Sequence, residues 1–118
     1  MRAIRLAVLA VLIAWPAFAS AGHKAVVVDA GSLHEECLSM APGQALRYEF
    51  QSDRALAFNI HYHEGDAVHY PVRHPATAAL SGGFEPDERR RRHYCMMWAN
   101  DGPAPAALRY DFQLEGAP

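Results

Sequence analysis

Apolar and polar residues alternate along several stretches of this chain, which is the pattern of β-strands with one buried and one solvated face. The alternating stretches are residues 46–50, 58–62, 68–72 and 108–114. Residues 94–98 are apolar on both faces, which is typical of a central strand that is covered on each side. The pattern therefore predicts a fold made of short strands.

Turn-forming residues separate these predicted strands, and no segment shows a helical period. The predicted turns are Pro42-Gly43, Glu64-Gly65-Asp66, Gly82-Gly83, Pro86-Asp87 and Asp101-Gly102-Pro103. Strands at this spacing with turns between them indicate an all-β fold, an antiparallel β-sandwich or barrel.

Two of the stretches, 46–50 and 108–112, are near copies of each other. If they pair as antiparallel neighbours with Tyr48 opposite Tyr110, each arginine of one stretch faces an acidic residue of the other. Such cross-strand charge pairs contribute a few tenths of a kcal/mol each. We therefore expect these two strands to be adjacent in that register.

The beginning of the chain follows a different pattern. Arg2 and Arg5 precede an apolar run over residues 6–14, and small residues follow, which is the order of a secretory signal peptide. We expect a signal peptide over 1–21 and a single β-sandwich domain over 22–118, periplasmic or secreted. The run is shorter than the about 20 residues that span a bilayer, so no transmembrane segment is expected in the mature chain. An uncleaved N-terminal anchor is the alternative.

The charge of the chain bears on its partners. It has 11 Lys and Arg against 13 Asp and Glu, and the predicted cleavage removes two of the arginines. A mildly acidic domain lacks the basic surface that proteins use for nucleic acid, so nucleic acid is not an expected partner. Seven histidines are many for this length, and histidine changes charge under mildly acidic conditions.

The chain has two cysteines, Cys37 and Cys95. An even number of cysteines in an exported chain favours a disulfide. No Cys-x-x-Cys motif is present, so a redox-catalytic pair is not indicated. The bridge would close a long loop and, in the chain-entropy model, would contribute about 4 kcal/mol to stability.

The order of these features has a counterpart in a known family. A cysteine in Glu36-Cys37-Leu38 precedes the first long alternating stretch, and Tyr94-Cys95 is followed by Asn100 before a closing alternating strand. This order resembles the Golgi-dynamics (GOLD) domain of the Golgi cargo-receptor family, in which the two cysteines are bridged. The resemblance implies a jelly-roll-like β-sandwich that binds a protein or another ligand and is not an enzyme.

Two departures limit what the resemblance implies. Tyr94 and Cys95 are adjacent, one step tighter than the family's Tyr-x-x-Cys-like spacing. The cargo receptors also continue into a coiled coil and a membrane helix, whereas this sequence stops at Pro118. Their trafficking role is therefore not carried over, and the expected partner is an unidentified protein or small ligand.

A group of histidines is the main candidate for chemistry. Alternation places His61 and His63 on the solvated face of their strand, and a three-residue loop at 64–66 would place His69 directly opposite His61. Facing residues have Cβ atoms about 4.5–5.5 Å apart, and imidazoles at that separation can share a zinc or copper ion. A solvated outer face that is rich in histidine is the alternative.

The N-terminus of the mature chain is a second candidate metal site. Cleavage after Ala21 would place His23 second in the mature chain, where the free amine and the imidazole can chelate copper. Met96 and Met97 offer thioether ligands for copper(I), but methionine is also ordinary core filler. A position beside the predicted disulfide favours the core.

The remaining motifs predict a protein without catalytic activity. No His-Glu-x-x-His helix, no Gly-x-Ser-x-Gly elbow and no phosphate-binding glycine loop is present. A block of four arginines indicates either an exposed loop, whose positive charge is partly neutralised by its acidic neighbours, or a contact site for an anionic partner. The block consists of Arg89, Arg90, Arg91 and Arg92.

Overall fold

The computed structural model describes residues 10–11 and 20–116, and residues 20–116 form an all-β fold. The strands are β1 (Ser20–Val28), β2 (Leu33–Met40), β3 (Ala45–Glu64), β4 (Ala67–Phe84), β5 (Arg92–Ala99) and β6 (Ala106–Glu115). Within the described ranges there is no helix that is long and apolar enough to cross a membrane. Most of the predicted signal peptide lies outside the described residues, although Ser20 and Ala21 open β1.

One antiparallel sheet curls on itself to make two layers, because β3 belongs to both. One edge of β3 pairs with β4 along most of its length. The other edge pairs with β6 over Ala45–Ser52 and with β5 over Ala57–His61. β1 extends the layer beyond β6, and β2 extends the other layer beyond β5. The predicted antiparallel sandwich is confirmed.

The bend in β3 lies where its apolar alternation stops. The register with β4 shifts between Gln51 and Leu56, and the intervening residues of β3 bulge out of the ladder. The side chain of Asp53 accepts a hydrogen bond of 2.8 Å from the backbone N–H of Ala107. The sequence predicts two separate strands here; the structure has one continuous strand that changes layer, since a bulge bends a strand without ending it.

Trp98 on β5 lies at the centre of the core between the two layers. Its ring centroid is 4.5 Å from that of Tyr110 on β6, and 5.3 Å and 5.8 Å from those of Phe58 and Phe50 on β3. The predicted inward faces of β3 and β6 are buried, including alternate residues of β6 from Ala106 to Leu114. The inward face predicted for residues 68–72 is wrong, because Val68 and Tyr70 are exposed. Burial of apolar surface is the dominant favourable term in folding, and large aromatic rings contribute much of that surface.

The near-copy stretches of β3 and β6 are adjacent and antiparallel, but their predicted register is wrong by two residues. Tyr48 pairs with Phe112, and Glu49 faces Asp111 rather than an arginine. Arg47 instead donates a 3.0 Å hydrogen bond to Glu115. The core decides the register, since a shift of two residues keeps the same faces buried while cross-strand charge pairs contribute little.

The predicted turn at Gly82-Gly83 is also wrong, because both glycines lie inside β4. Gly82 pairs with Tyr48, and a Cβ atom built on Gly82 would lie 2.5 Å from the Tyr48 hydroxyl. A Cβ atom on Gly83 would have Leu46 O as its nearest neighbour, at 3.8 Å. Gly82 therefore provides room for the Tyr48 ring across the strand pair.

The two glycines give a matched test of this packing. We expect Gly82→Ala to lower the free energy of unfolding by about 1–3 kcal/mol, because the added methyl group displaces the Tyr48 ring. Gly83→Ala is expected to be neutral or stabilising, because alanine loses less backbone entropy than glycine in a strand. Urea unfolding of both variants checks this, and equal destabilisation would contradict the assigned role of Gly82.

The predicted disulfide is present and joins the two strands at the edge of one layer. Cys37 on β2 lies directly opposite Cys95 on β5 and is bonded to it. The same two strands pair over the full length of β2, from Leu33 opposite Ala99 to Met40 opposite Arg92. The bridge therefore adds a covalent tie to a strand pair that the backbone ladder already aligns.

Candidate functional site

The turn between β3 and β4 decides where the candidate histidines lie. β3 ends at Glu64 and β4 begins at Ala67, so the loop has two residues, and Gly65 has a φ of 58°. Glycine at the first position of a two-residue hairpin loop fits a type II′ turn. The prediction of a three-residue loop is wrong, and the pairing that depends on it changes.

His69 lies apart from the other two histidines. The shorter turn pairs His69 with Tyr62, and the two rings stack with centroids 4.8 Å apart. The prediction that His69 faces His61 is therefore corrected, because a register change of one residue moves a side chain to the opposite face. His61 and His63 remain together, with ring centroids 5.4 Å apart.

A bulge in β4 covers the outer face next to His61. Ile60 pairs with Val72 and Tyr62 pairs with His69, so Tyr70 and Pro71 together oppose His61. Proline is tolerated at a bulge because it cannot donate to the ladder. The Tyr70 ring, which the sequence predicts to point inward, lies 5.8 Å from the His61 ring.

His61 is consequently buried on a face that alternation predicts to be solvated. It is 5% exposed and its neighbour on the same face, Asn59, is 8% exposed. Buried polar groups require partners, and His61 Nδ1 lies 2.8 Å from Asn59 Oδ1. Because a carbonyl oxygen only accepts, Nδ1 donates, and Nε2 carries the lone pair.

Glu35 on β2 is the charged group that Nε2 of His61 faces. The distance from Nε2 to Glu35 Oε1 is 3.7 Å, which is longer than a hydrogen bond. Burial lowers the pKa of His61 below its ordinary value of 6.5; Glu35 opposes this shift and His63 adds to it. The structure thus places an imidazole with a lowered pKa beside a carboxyl group, two groups that bind transition metals.

The strand ladder brings further side chains to the same outer face. Met97 lies between Asn59 and Glu35 in the register, and Cys95 lies between His61 and Cys37. One carboxylate oxygen of Glu35, one ring nitrogen of His61 and the sulfur of Cys95 lie within 4.8 Å of one another. Met96 is fully buried, as a core position requires, whereas Met97 is half-buried on the outer face.

Sequence reasoning missed Glu35 and Asn59 as parts of this site. Asn59 precedes His61 by two residues and Glu35 precedes Cys37 by two, so each shares a face with a residue that was singled out. The predicted Cys37–Cys95 bridge was the signal that could have placed Glu35 beside His61. To use this signal, one must know that β5 lies between β2 and β3. Alternation along one strand does not reveal which strands are its neighbours.

The other predicted contact residues have partners of their own. The His23 imidazole is hydrogen-bonded to the Asp111 carboxylate, and chelation of copper by a new N-terminus at His23 stays a prediction. Arg92 forms 3.1 Å ion pairs with Glu64 and Glu88 and lies over the Tyr62 ring. The anionic contact therefore stays a prediction for the rest of the arginine block.

A second polar cluster joins the free edges of the two layers. Tyr110 donates a 3.0 Å hydrogen bond to Glu36, which also pairs with Lys24 of β1, and His34 Nε2 lies 2.9 Å from the Tyr110 hydroxyl. Burial and the hydrogen bond to Glu36 raise the pKa of Tyr110. These contacts connect β1, β2 and β6 across the open side of the sandwich.

A groove of about 800 Å³ lies on the outer face of the layer that contains β6. Its charged lining is mostly acidic, and it includes Glu49, Glu85, Asp111 and the Arg47–Glu115 pair. None of the candidate histidines lines it. The groove is therefore separate from the site around His61.

Comparisons with known proteins give no family for this chain. No protein-family model matches it, and no curated protein matches it. The chain is similar to a de novo designed double-stranded β-helix whose structure was solved by NMR in solution. That likeness has 19% sequence identity and a TM-score of 0.43 over 80% of this chain and 99% of the other, and it carries no conclusion about function.

The environment of His61 predicts its titration. We expect the pKa of His61 to lie below 6.5, and Glu35→Gln to lower it further, because the carboxylate favours the imidazolium. Since the folded-state pKa is lowered, the unfolded chain binds the proton more tightly, and stability falls as pH drops below the ordinary value. NMR titration of the histidine ring protons measures the pKa of His61 in the wild type and in Glu35→Gln.

Glu49→Gln, a change on the other layer, is the matched control and is expected to leave the pKa of His61 unchanged. A higher pKa in Glu35→Gln than in the wild type would contradict the assigned role of Glu35.

Proposed function

We propose that this chain is an exported, non-catalytic binding protein whose ligand is a transition-metal ion, zinc or copper. The ion binds on the outer face of the layer that carries the disulfide. His61 and Glu35 are the central ligands, and water or a group of a partner completes the set. His69, which the sequence groups with them, is not part of this site.

The observation that carries the proposal is the geometry of the buried His61 ring. Asn59 accepts a hydrogen bond from Nδ1, and an acceptor at this position fixes the tautomer of a metal-ligating histidine. Nε2 is left with a lone pair directed at the Glu35 carboxylate, 3.7 Å away. Ligand atoms around a tetrahedral zinc ion lie roughly 3.5 Å apart, given bond lengths of about 2.0–2.2 Å.

The ligand set favours reversible binding. His61 and Glu35 supply two protein ligands in the oxidised chain, whereas closed structural zinc sites have four. The remaining coordination positions would be filled by water or by a group of a partner. Such a site suits transport, buffering or delivery of a metal ion better than a permanent structural role.

Export to the periplasm or out of the cell is part of the proposal. A disulfide joins Cys37 and Cys95, and disulfides persist mainly in oxidising compartments. The GOLD-like role, in which the sandwich binds a protein or another ligand, stays a prediction of the sequence. A metal ion with open coordination positions is compatible with it, because a partner could supply the missing ligand.

A metal titration of the oxidised protein tests the proposal. The protein is purified without a histidine tag and titrated with zinc and copper(II) by calorimetry. We expect micromolar or tighter binding of one ion per chain. His61→Ala is expected to abolish it, and Asn59→Ala to weaken it about 10–100-fold through loss of the orienting hydrogen bond.

His69→Ala is the matched control, since it removes a nearby histidine that stacks on Tyr62. It is expected to leave the affinity unchanged. An affinity that depends on His69 as much as on His61, or no binding by the wild type, would overturn the proposed site.

A further inference from the structure

The disulfide lies inside the proposed metal site. Cys95 is the direct cross-strand neighbour of His61 on one side and of Cys37 on the other. Its sulfur, a ring nitrogen of His61 and a carboxylate oxygen of Glu35 lie within 4.8 Å of one another. While the sulfur is bonded to Cys37, it offers no thiolate, which is the form that ligates metals.

We propose that reduction of this disulfide adds Cys95 as a thiolate ligand beside His61 and Glu35, so that the protein binds zinc in a redox-dependent way. The inference rests on the proposed site at His61 and Glu35. A thiolate, an imidazole and a carboxylate make three protein ligands, and the fourth position of a tetrahedral zinc site is left for water. The oxidised protein then holds the ion weakly and the reduced protein holds it tightly.

The step needs a two-electron reductant, and a dithiol is the class that supplies it. One thiolate of the dithiol attacks the sulfur of Cys37, and the bond to Cys95 breaks with the electron pair going to the Cys95 sulfur. The second thiol of the reductant then displaces Cys37 and closes the reductant's own disulfide. The two cysteines end as thiols, and zinc binding at Cys95 releases its thiol proton to solvent.

The exposure of the two cysteines fits this order of events. Cys37 is exposed at the edge of the sheet, and Cys95 is half-buried between its neighbours. Access decides which sulfur a thiolate attacks, so Cys37 is the sulfur that a reductant reaches first. The released sulfur is that of Cys95, next to His61.

The strand frame has ties other than the disulfide. β2 pairs with β5 along its whole length, and Glu36 of β2 is tied to Lys24 and Tyr110 across the open side of the sandwich. We therefore expect Cys37, Cys95 and His61 to stay in one row of the sheet after reduction.

Cobalt(II) and zinc binding by the oxidised and reduced full chain test the inference, with a phosphine as the reductant. We expect zinc to bind the reduced chain at least tenfold more tightly than the oxidised chain. Cobalt(II), a spectroscopic substitute for zinc, is expected to give a thiolate-to-metal charge-transfer band only after reduction. An amide NMR spectrum confirms that the reduced chain remains folded, and a chain that unfolds on reduction would overturn the inference.

Two single variants remove the disulfide equally and separate the roles of the sulfurs. Cys37→Ser leaves the Cys95 thiol beside His61 and is expected to keep the cobalt–thiolate band. Cys95→Ser leaves only the outer sulfur and is expected to lose most of the band. Identical spectra from the two variants would overturn the assignment of Cys95 as the inner ligand.

The failure of this inference is distinguishable from failure of the proposed function. If the oxidised chain binds metal through His61 and reduction changes neither affinity nor spectrum, only the redox dependence is wrong. If neither form binds, both proposals are wrong.

Discussion

The pairing of β3 with two different strands along one edge is the constraint on which the rest of the structure depends. Its first half hydrogen-bonds to β6 and its second half to β5, so one strand holds both layers in a fixed relation. The bulge after Gln51 turns the strand between them. Trp98 and Tyr110 then meet across the layers, and their rings close the core.

The same arrangement assembles the candidate site. β5 lies between β3 and β2, so His61, Cys95 and Cys37 form one row across three strands. The Glu35 carboxylate on β2 lies 3.7 Å from Nε2 of His61. The β4 bulge places the Tyr70 ring 5.8 Å from the His61 ring. A polar face that would otherwise be open to water thus contains a buried, oriented imidazole, the kind of group that binds metals with a defined geometry.

Much of the architecture could be predicted from local patterns. The buried faces of β3 and β6, the turn at Pro42-Gly43 and the Cys37–Cys95 bridge all follow from residue types and spacing. The errors share one cause, which is that relative register depends on contacts between strands. The loop at Gly65 is one residue shorter than predicted, and this alone separates His69 from His61. The turn prediction at Gly82 is wrong because the side chain that requires a glycine there, the Tyr48 ring, lies on the neighbouring strand.

The sequence by itself determined which faces of the strands are apolar, that the chain is all-β and that its two cysteines pair. Alternation with a period of two is a local property, and burial of the apolar face follows from the hydrophobic effect. Only the tertiary structure decided that β5 lies between β2 and β3 and which residues of neighbouring strands meet. A one-residue change in a loop or bulge reverses the face of every following side chain, so the grouping of His61 with Glu35 and the cysteines depends on the folded sheet.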